Sequence, residues 1–515
     1  MENFASTLDH HADRRPDKVV LTHGATTRTN TELLARVNAL AAALRGAGVG
    51  RGDVVALLLA NGVEFLETLY AVNRLGAAFL PLNVRLAPAE WEYILGNSEA
   101  VALIAGAEYV PLAPDLPAIR TRIVVGEPAP PGWEPYEQVL GAHHGREVPV
   151  EDVPGSALQR LMYTSGTTSR PKGVCITHAN LLAKNLGLII EFGLTHQDVT
   201  AVAGPLYHVG ALDMGGLTTL HVGGSLLLQK RFDAPGLICL IQRHRATTVW
   251  LAPAMVNALL QDASLAGADL SSLRVIMSGG EKMPEARLKQ ILDILPGVWF
   301  ADAYGLTETV SSDTFLPREY MHAKLGSVGK PLAQHRVRVA DDRGDELPPG
   351  SVGEILVRGP KVFSRYWRDP AATENAFVGG WFRTGDIGRL DEDGFLYIED
   401  RKKDMIVSGG ENIATPEVER VLYEHPDIVE VAVVGHPDER WGEVPHAFVA
   451  LRPGAVLTPA DVTAFCTGRL ARFKIPAYVT IVEALPRTAS GKVVKRELRS
   501  MPQTGTDPGN GETRA

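Results

Sequence analysis

A chain of 515 residues is longer than one hydrophobic core normally supports, so two or more domains are expected. Its 45% hydrophobic and 22% charged content is that of an ordinary soluble globular protein. A formal net charge of -9 argues against a general nucleic-acid binder and requires that cations serving an anionic substrate be concentrated in one site.

The three cysteines, Cys175, Cys239 and Cys466, are too scattered for a disulfide framework or a metal-ligand pair. The residues after Met1 are polar and charged rather than a secretory core, and no uninterrupted apolar run reaches bilayer length. Cytoplasmic residence without a membrane span is expected.

Taken in chain order, Thr29 with Glu32 forms a capping box ahead of an apolar-periodic helix over residues 33–44, closed by Gly46 and Gly48. A continuous apolar run over 54–59 has buried-strand length, and a helix over 64–75 follows. Residues 101–105 and 274–277 read as further buried strands. This alternation continues to about residue 320 and predicts an α/β fold, a large N-terminal layered body with largely parallel strands.

From about Gly326 turn signals crowd in, among them Asp342-Arg343-Gly344, Gly379-Gly380 and Asp393-Gly394, which predicts a small β-barrel-like subdomain over 326–399. The charged run 400–404 then separates the N-terminal domain, 1–399, from a small mobile α+β C-terminal domain over 405–500. In that domain Thr415 is the expected N-cap, with Pro416 at the first helical position of a helix reaching Tyr423. Strands are expected over 428–434 and 447–451, and a helix over 458–470. The polar tail 501–515 is expected to be disordered.

The stretch from Tyr163 to Val174 carries the most chemistry. Gly166 and Gly173 let backbone N–H groups approach an anion, Thr164, Ser165, Thr167 and Thr168 add hydroxyls, and Arg170 and Lys172 add positive charge. The stretch suits nucleotide phosphates, although it departs from the P-loop pattern where Pro171 and Lys172 follow. Further clusters suit a nucleotide's other parts. Gly279 and Gly280 offer bare backbone to a base. Tyr304 offers a stacking face, Asp302 an acceptor for an exocyclic amine, Thr307 a hydroxyl and Glu308 a hard oxygen for Mg²⁺. Asp386 follows a tight Gly385 and suits a ribose diol. Lys492 follows a flexible Ser490-Gly491.

These stretches, with 400–404 and 408–411, stand in an order that resembles the adenylate-forming superfamily: acyl- and aryl-CoA synthetases, adenylation domains of peptide synthetases, and luciferases. The resemblance runs from about residue 10 to 500 and is strongest to the acyl-CoA synthetases. It implies ATP, Mg²⁺ and CoA as co-substrates and cofactor. A carboxylate attacks the α-phosphate of Mg·ATP to give an acyl-adenylate and pyrophosphate, and a thiol then displaces AMP.

Carried over by position, Thr164, Ser165, Gly166, Thr167, Thr168 and Lys172 hold the β- and γ-phosphates. Tyr304 with Gly279 and Gly280 sandwiches adenine, flanked by Glu281, Ala303 and Gly305, and Asp302 meets its amino group. Asp386 and Arg401 hold the ribose, Glu308 binds Mg²⁺ beside Thr307, and Lys492 bridges the carboxylate and the α-phosphate. Lys403 is the implied hinge, and Ser408, Gly409, Gly410 and Glu411 line the implied CoA tunnel. Two departures stand out. Ser169 replaces the family's usual glycine, and Asp302 replaces its commoner Asn or Gln.

Residues 205–214 resemble the stretch that lines the acyl pocket, with His208 at the gating position beside the carboxylate. Tyr207 belongs to the same pocket stretch, Gly210 and Ala211 leave volume where aryl-CoA ligases often place a tyrosine, and Leu212 stands where some long-chain synthetases place a tryptophan. An aromatic or medium-chain acid is therefore expected. Asp213, a carboxylate in an apolar run, must find a partner or water: nearby backbone or a polar group of the substrate. CoA is the expected acceptor. A carrier-protein thiol, an amine or another nucleophile is the alternative, and a non-catalytic nucleotide-binding protein is the alternative of another class. A homodimer is compatible with this chain.

Overall fold

The structure, a computed structural model, describes residues 3–501 apart from 165–170, 282, 284, 402–403, 409–410, 439–440 and 488–492, and describes the backbone alone of Arg401, Val407, Glu411 and Asn412. Among the described residues the strands form four sheets. The first has seven strands in the order Glu134–Pro135, Thr121–Val125, Ala100–Gly106, Val54–Leu58, Ala78–Pro81, Leu158–Thr164 and Lys172–Thr177. All pairs are parallel except the last, an antiparallel hairpin at the edge.

The second sheet has nine strands and a parallel centre. Trp299–Leu306, Val275–Gly279, Thr248–Leu251, Val199–Val202, Ser225–Leu228 and Val19–His23 lie side by side. Short antiparallel strands extend both edges. Parallel strands covered on both faces should be continuously apolar. Val54–Leu58 and Thr248–Leu251 are accordingly buried at every position.

Helices fill the space between the two sheets, so Val55, Leu57 and Phe79 of one share a core with Val249, Ile276 and Phe300 of the other. The helix Asn30–Gly46 shows how local chemistry places such a layer. Thr29 Oγ1 accepts from Glu32 N at 3.2 Å and Glu32 Oε2 accepts from Thr29 N at 2.8 Å. The expected capping box thus starts the helix. Leu33, Val37, Leu40, Ala41 and Leu44 then bury one stripe.

The β-rich segment is an antiparallel sheet of Arg336–Ala340, Gly353–Arg358, Trp381–Leu390, Phe377–Val378 and Leu396–Arg401. Its tightest hairpin turns at Gly379 and Gly380, with φ of +55° and +78°, a pair of left-handed positions that only glycine takes without strain. The C-terminal unit is a mixed sheet in which Ile428–Asp438 and Gly442–Leu451 pair antiparallel and Tyr478–Val482 runs parallel to the latter.

In the C-terminal unit the expected helix boundaries move. The helix after residue 411 is Thr415–Leu422 with Ala414 as its cap. Thr415 caps nothing because its N and Oγ1 both donate to the Asp400 carboxylate, at 2.8 and 3.0 Å. The helix expected over 458–470 is Pro459–Cys466, capped as expected by Thr458 with Asp461. It stops there because Thr467 turns extended and Gly468 follows at φ +76°. Residues 502–515 of the expected disordered tail lie outside the described residues.

Two histidines tie both units to pH. His178 and His446 are each 1% exposed, and burial pushes both down to about 4. The neutral ring is favoured in the fold, while the unfolded chain takes up protons near pH ~6.5. Their contribution is therefore whole above that pH and is lost as pH falls toward 4. Each should cost about 2 kcal/mol at pH 5. Urea midpoints at pH 7.5 and pH 5 measure this, and a flat midpoint would contradict it.

Candidate active site

The ends of two adjacent parallel strands form the floor of the site. Gly279 and Ala303 are register partners, and a Cβ on Gly279 would stand 2.6 Å from Ala303 O. Gly280 follows at φ +99°. Gly305 is tighter still, since a Cβ there would lie 1.8 Å from the backbone oxygen of Ser311. Backbone cannot swing aside as a side chain can. Gly305→Ala is expected to cost at least about 1–3 kcal/mol and to abolish ATP–pyrophosphate exchange. Gly46→Ala, with nothing within 4 Å of its Cβ, is the matched control. Urea unfolding and exchange assays of both variants check this.

Tyr304 and Asp386, expected at the base and the ribose, are bonded to one another: Tyr304 Oη donates to Asp386 Oδ2 at 2.8 Å. The tyrosine is 7% exposed and packs with Val328, Val339, Ile355, Val357 and Leu396. It lies on the strand Trp299–Leu306 of the nine-stranded sheet and packs its ring into the core of the β-rich sheet. Burial raises its hydroxyl well above the usual tyrosine value and the adjacent carboxylate adds to this, so the phenol remains a donor. Asp386 is also the register partner of Arg401. Asp302 is 4% exposed, and its carboxylate accepts from Ala303 N at 3.1 Å.

A second group forms where the edge hairpin meets the turn Thr307–Thr309. Lys172, paired in register with Thr164, places its Nζ 5.1 Å from the centre of the Tyr366 ring. Tyr366 Oη donates to Glu308 Oε1 at 2.9 Å, and Phe363 N donates to Glu308 O at 2.7 Å. Lys172, Tyr366 and Glu308 thus converge from three elements. Glu281, at the end of the floor, reaches the C-terminal unit. Its Oε1 accepts from Val493 N at 2.7 Å, and Arg487 Nη1 lies 3.8 Å from Oε2. Ser408 is buried and pairs with Glu411 and Gly442.

Part of the expected site lies outside the described residues: Ser165, Gly166, Thr167, Thr168, Lys403, Gly409, Gly410 and Lys492, with the side chains of Arg401 and Glu411.

The acyl stretch requires a correction. Tyr207 and His208 are half-buried, and His208 Nδ1 accepts from Gly210 N at 3.2 Å, which puts the neutral ring's proton on Nε2. Ala211, Leu212 and Asp213 are at most 2% exposed and belong to the interior, in a π-helix spanning Gly210–Leu217. The room beside Gly210 is filled by Trp250, whose Cζ2 would lie 2.4 Å from a Cβ at 210 and whose Cζ3 would lie 2.6 Å from one at Gly204. Two buried cations meet the Asp213 carboxylate. Arg160 Nη2 donates to its Oδ2 at 2.5 Å, and Lys184 Nζ stands 3.4 Å from Oδ1, with all three side chains wholly buried.

Sequence reasoning missed Arg160, Lys184, Trp250 and Tyr366. For Arg160 a signal existed, a charge inside the apolar strand Leu158–Thr164, the same kind that drew notice to Asp213. Tyr366 carried no comparable signal.

Residues 8–367 match the family model described as AMP-binding enzyme, and residues 417–492 match that of the AMP-binding enzyme C-terminal domain. This chain is an AMP-binding enzyme. Among proteins similar to it are a feruloyl-CoA synthase of Amycolatopsis sp., 39% identical over 485 residues covering 94% of this chain and 96% of the relative, and an indoleacetate–CoA ligase of Aromatoleum aromaticum, 38% identical over 500 residues covering 96% and 97%. The crystal structure of the anthranilate CoA ligase AuaEII in complex with anthranoyl-AMP is similar with a TM-score of 0.90 at 29% identity, covering 97% of this chain and 96% of that one.

The expected superfamily, fold class and activity therefore stand. This AMP-binding enzyme is an AMP-forming acid–thiol ligase, an acyl- or aryl-CoA ligase that binds ATP and uses CoA as substrate. No helix among the described residues is long and apolar enough to cross a membrane.

Proposed function

We propose that this ligase activates an aromatic carboxylic acid as its adenylate and transfers the acyl group to CoA. One observation carries the assignment of residues: Val493, the neighbour of Lys492, donates its N–H to Glu281 at the end of the strand that bears Gly279. That contact joins the C-terminal segment to the floor where Gly279, Gly280, Glu281, Asp302, Ala303 and Gly305 receive adenine. Asp386, oriented by Tyr304, and Arg401 hold the ribose. Thr164, Ser165, Gly166, Thr167, Thr168 and Lys172 neutralise the β- and γ-phosphates. Lys492 then stabilises the charge that develops as the carboxylate attacks the α-phosphate, chemistry that rests on positioning and charge.

Glu308 fits Mg²⁺. It is a single hard carboxylate beside the phosphate-side Lys172, with one oxygen fixed by Tyr366, and Mg²⁺ beside phosphates takes one or two carboxylates and completes its shell with water. Thr307 adjoins it on the same turn. Lys403 serves as the hinge on which the C-terminal domain turns between half-reactions, bringing Ser408, Gly409, Gly410 and Glu411 to the CoA path. His208, whose Nδ1 accepts from Gly210 N, stands at the gate beside the acid's carboxylate.

The aromatic assignment draws on the feruloyl-, indoleacetyl- and anthraniloyl-type substrates named for similar proteins, and on His208 beside Trp250, ring centres 6.4 Å apart. The test incubates the enzyme with ATP and Mg²⁺ and, in turn, ferulate, indoleacetate, anthranilate and decanoate, with and without CoA. CoA-dependent AMP release with an aromatic acid is expected. Faster turnover of decanoate than of every aromatic acid would defeat the substrate assignment.

A further inference from the structure

Behind the turn Thr307–Thr309 lies a buried ion pair that no step above uses. Lys361 is 1% exposed and Asp313 is wholly buried, with Lys361 Nζ 2.6 Å from Asp313 Oδ1. Both reach the last residue of the turn. Lys361 Nζ donates to Thr309 O at 2.6 Å, and Thr309 Oγ1 donates to Asp313 Oδ2 at 2.6 Å.

The segment that begins at Lys361 continues to Phe363 and Tyr366, which hold the backbone oxygen and the carboxylate of Glu308. Residues 361–366 therefore grip the turn at three points. The turn itself is strained. Val310 sits at φ +51° and Ser311 at φ +82°, and a β-branched residue enters the left-handed region only when its surroundings compel it.

A buried ion pair is poor evidence for stability, because two apolar side chains of similar volume often serve as well. What such a pair supplies is a directional hold at fixed distance, which an apolar pair lacks. We propose that Lys361 and Asp313 are positioning residues: acting through Thr309, they hold the strained turn in the conformation that presents Thr307 and Glu308 to Mg·ATP. This rests on the reading of Glu308 as the carboxylate on the magnesium side, and it goes further by naming what aims that carboxylate.

The test compares the full-length Asp313→Leu/Lys361→Met double variant, the milder Thr309→Val variant, the Lys361→Arg variant and Glu308→Gln. For each, ATP–pyrophosphate exchange is followed against Mg²⁺ and against the acid, and the urea midpoint is measured.

The expected result for the double variant is a fall in kcat for exchange of at least 10-fold and a rise of similar size in the Mg²⁺ concentration giving half-maximal rate. KM for the acid should be unchanged within 2-fold. Thr309→Val should show the same Mg²⁺ shift in reduced degree, and it decides the matter if the double variant does not fold. Lys361→Arg should recover most of the rate. If Glu308→Gln is impaired while the double variant and Thr309→Val keep the wild-type Mg²⁺ dependence, the positioning role is overturned and the reading of Glu308 survives. If Glu308→Gln itself keeps wild-type exchange, the reading of Glu308 fails and the positioning role fails with it.

Discussion

Lys492→Ala is expected to slow ATP–pyrophosphate exchange roughly 10²–10³-fold, about 3–4 kcal/mol of transition-state stabilisation. The attack on the α-phosphate gathers negative charge between a carboxylate and a triphosphate, and a preorganised cation placed there costs nothing to reorganise at the moment of reaction. An ammonium with an unperturbed pKa near ~10.4 is a compact point charge at neutral pH, which suits one position shared by two anions. The contact of Val493 N with Glu281 brings this part of the chain to the floor of the site. Thioester formation from preformed acyl-adenylate should be spared, because the carboxylate's charge has by then been consumed in the acyl–phosphate bond and the thiol attacks the carbonyl carbon rather than the α-phosphate. An unchanged exchange rate would remove Lys492 from the chemistry, and equal loss in both half-reactions would make it structural.

Asp213→Ala is expected to destabilise the fold by about 3–5 kcal/mol, the range for breaking a buried ion pair from one side. Asp213, Arg160 and Lys184 are wholly buried, so the change leaves two cations facing one another without a carboxylate. They do not respond alike. Lys184, pushed down to about 7 mainly by burial, can shed its proton. Arg160 cannot, and so bears most of the cost. The double variant Asp213→Ala/Arg160→Met should therefore be more stable than Asp213→Ala alone. Lys184 Nζ also donates to Asp213 O at 2.7 Å and to Thr218 Oγ1 at 3.1 Å, which satisfies part of the π-helix that follows His208. Guanidinium unfolding measures these differences. A stable Asp213→Ala variant with a raised KM for the acid would instead return Asp213 to the substrate pocket.

The capping box of Thr29 and Glu32 was legible in the chain because its partners are three residues apart, and the buried strands were legible because burial on both faces demands continuous apolar residues. The small boundary errors have the same origin. Thr415 resembles an N-cap to any local rule, and only the distant Asp400 carboxylate makes its hydroxyl a donor. Gly210 was read as vacant volume because a sequence shows a missing side chain but not Trp250, forty residues on, that packs into the gap.

By itself the sequence determined the class of chemistry: hydroxyl, glycine, acid and lysine stretches in an order that resembles one superfamily, each stretch short enough for its function to reside in adjacent residues. Tertiary structure alone decided the pairings. Tyr304 with Asp386 is separated by 82 positions, Glu308 with Tyr366 by 58, Arg160 with Asp213 by 53 and Glu281 with Val493 by 212. Periodicity and turn chemistry act over a few residues. A buried donor finds its acceptor through the packing of whole layers, and that packing is settled only when the sheets and helices close on one another.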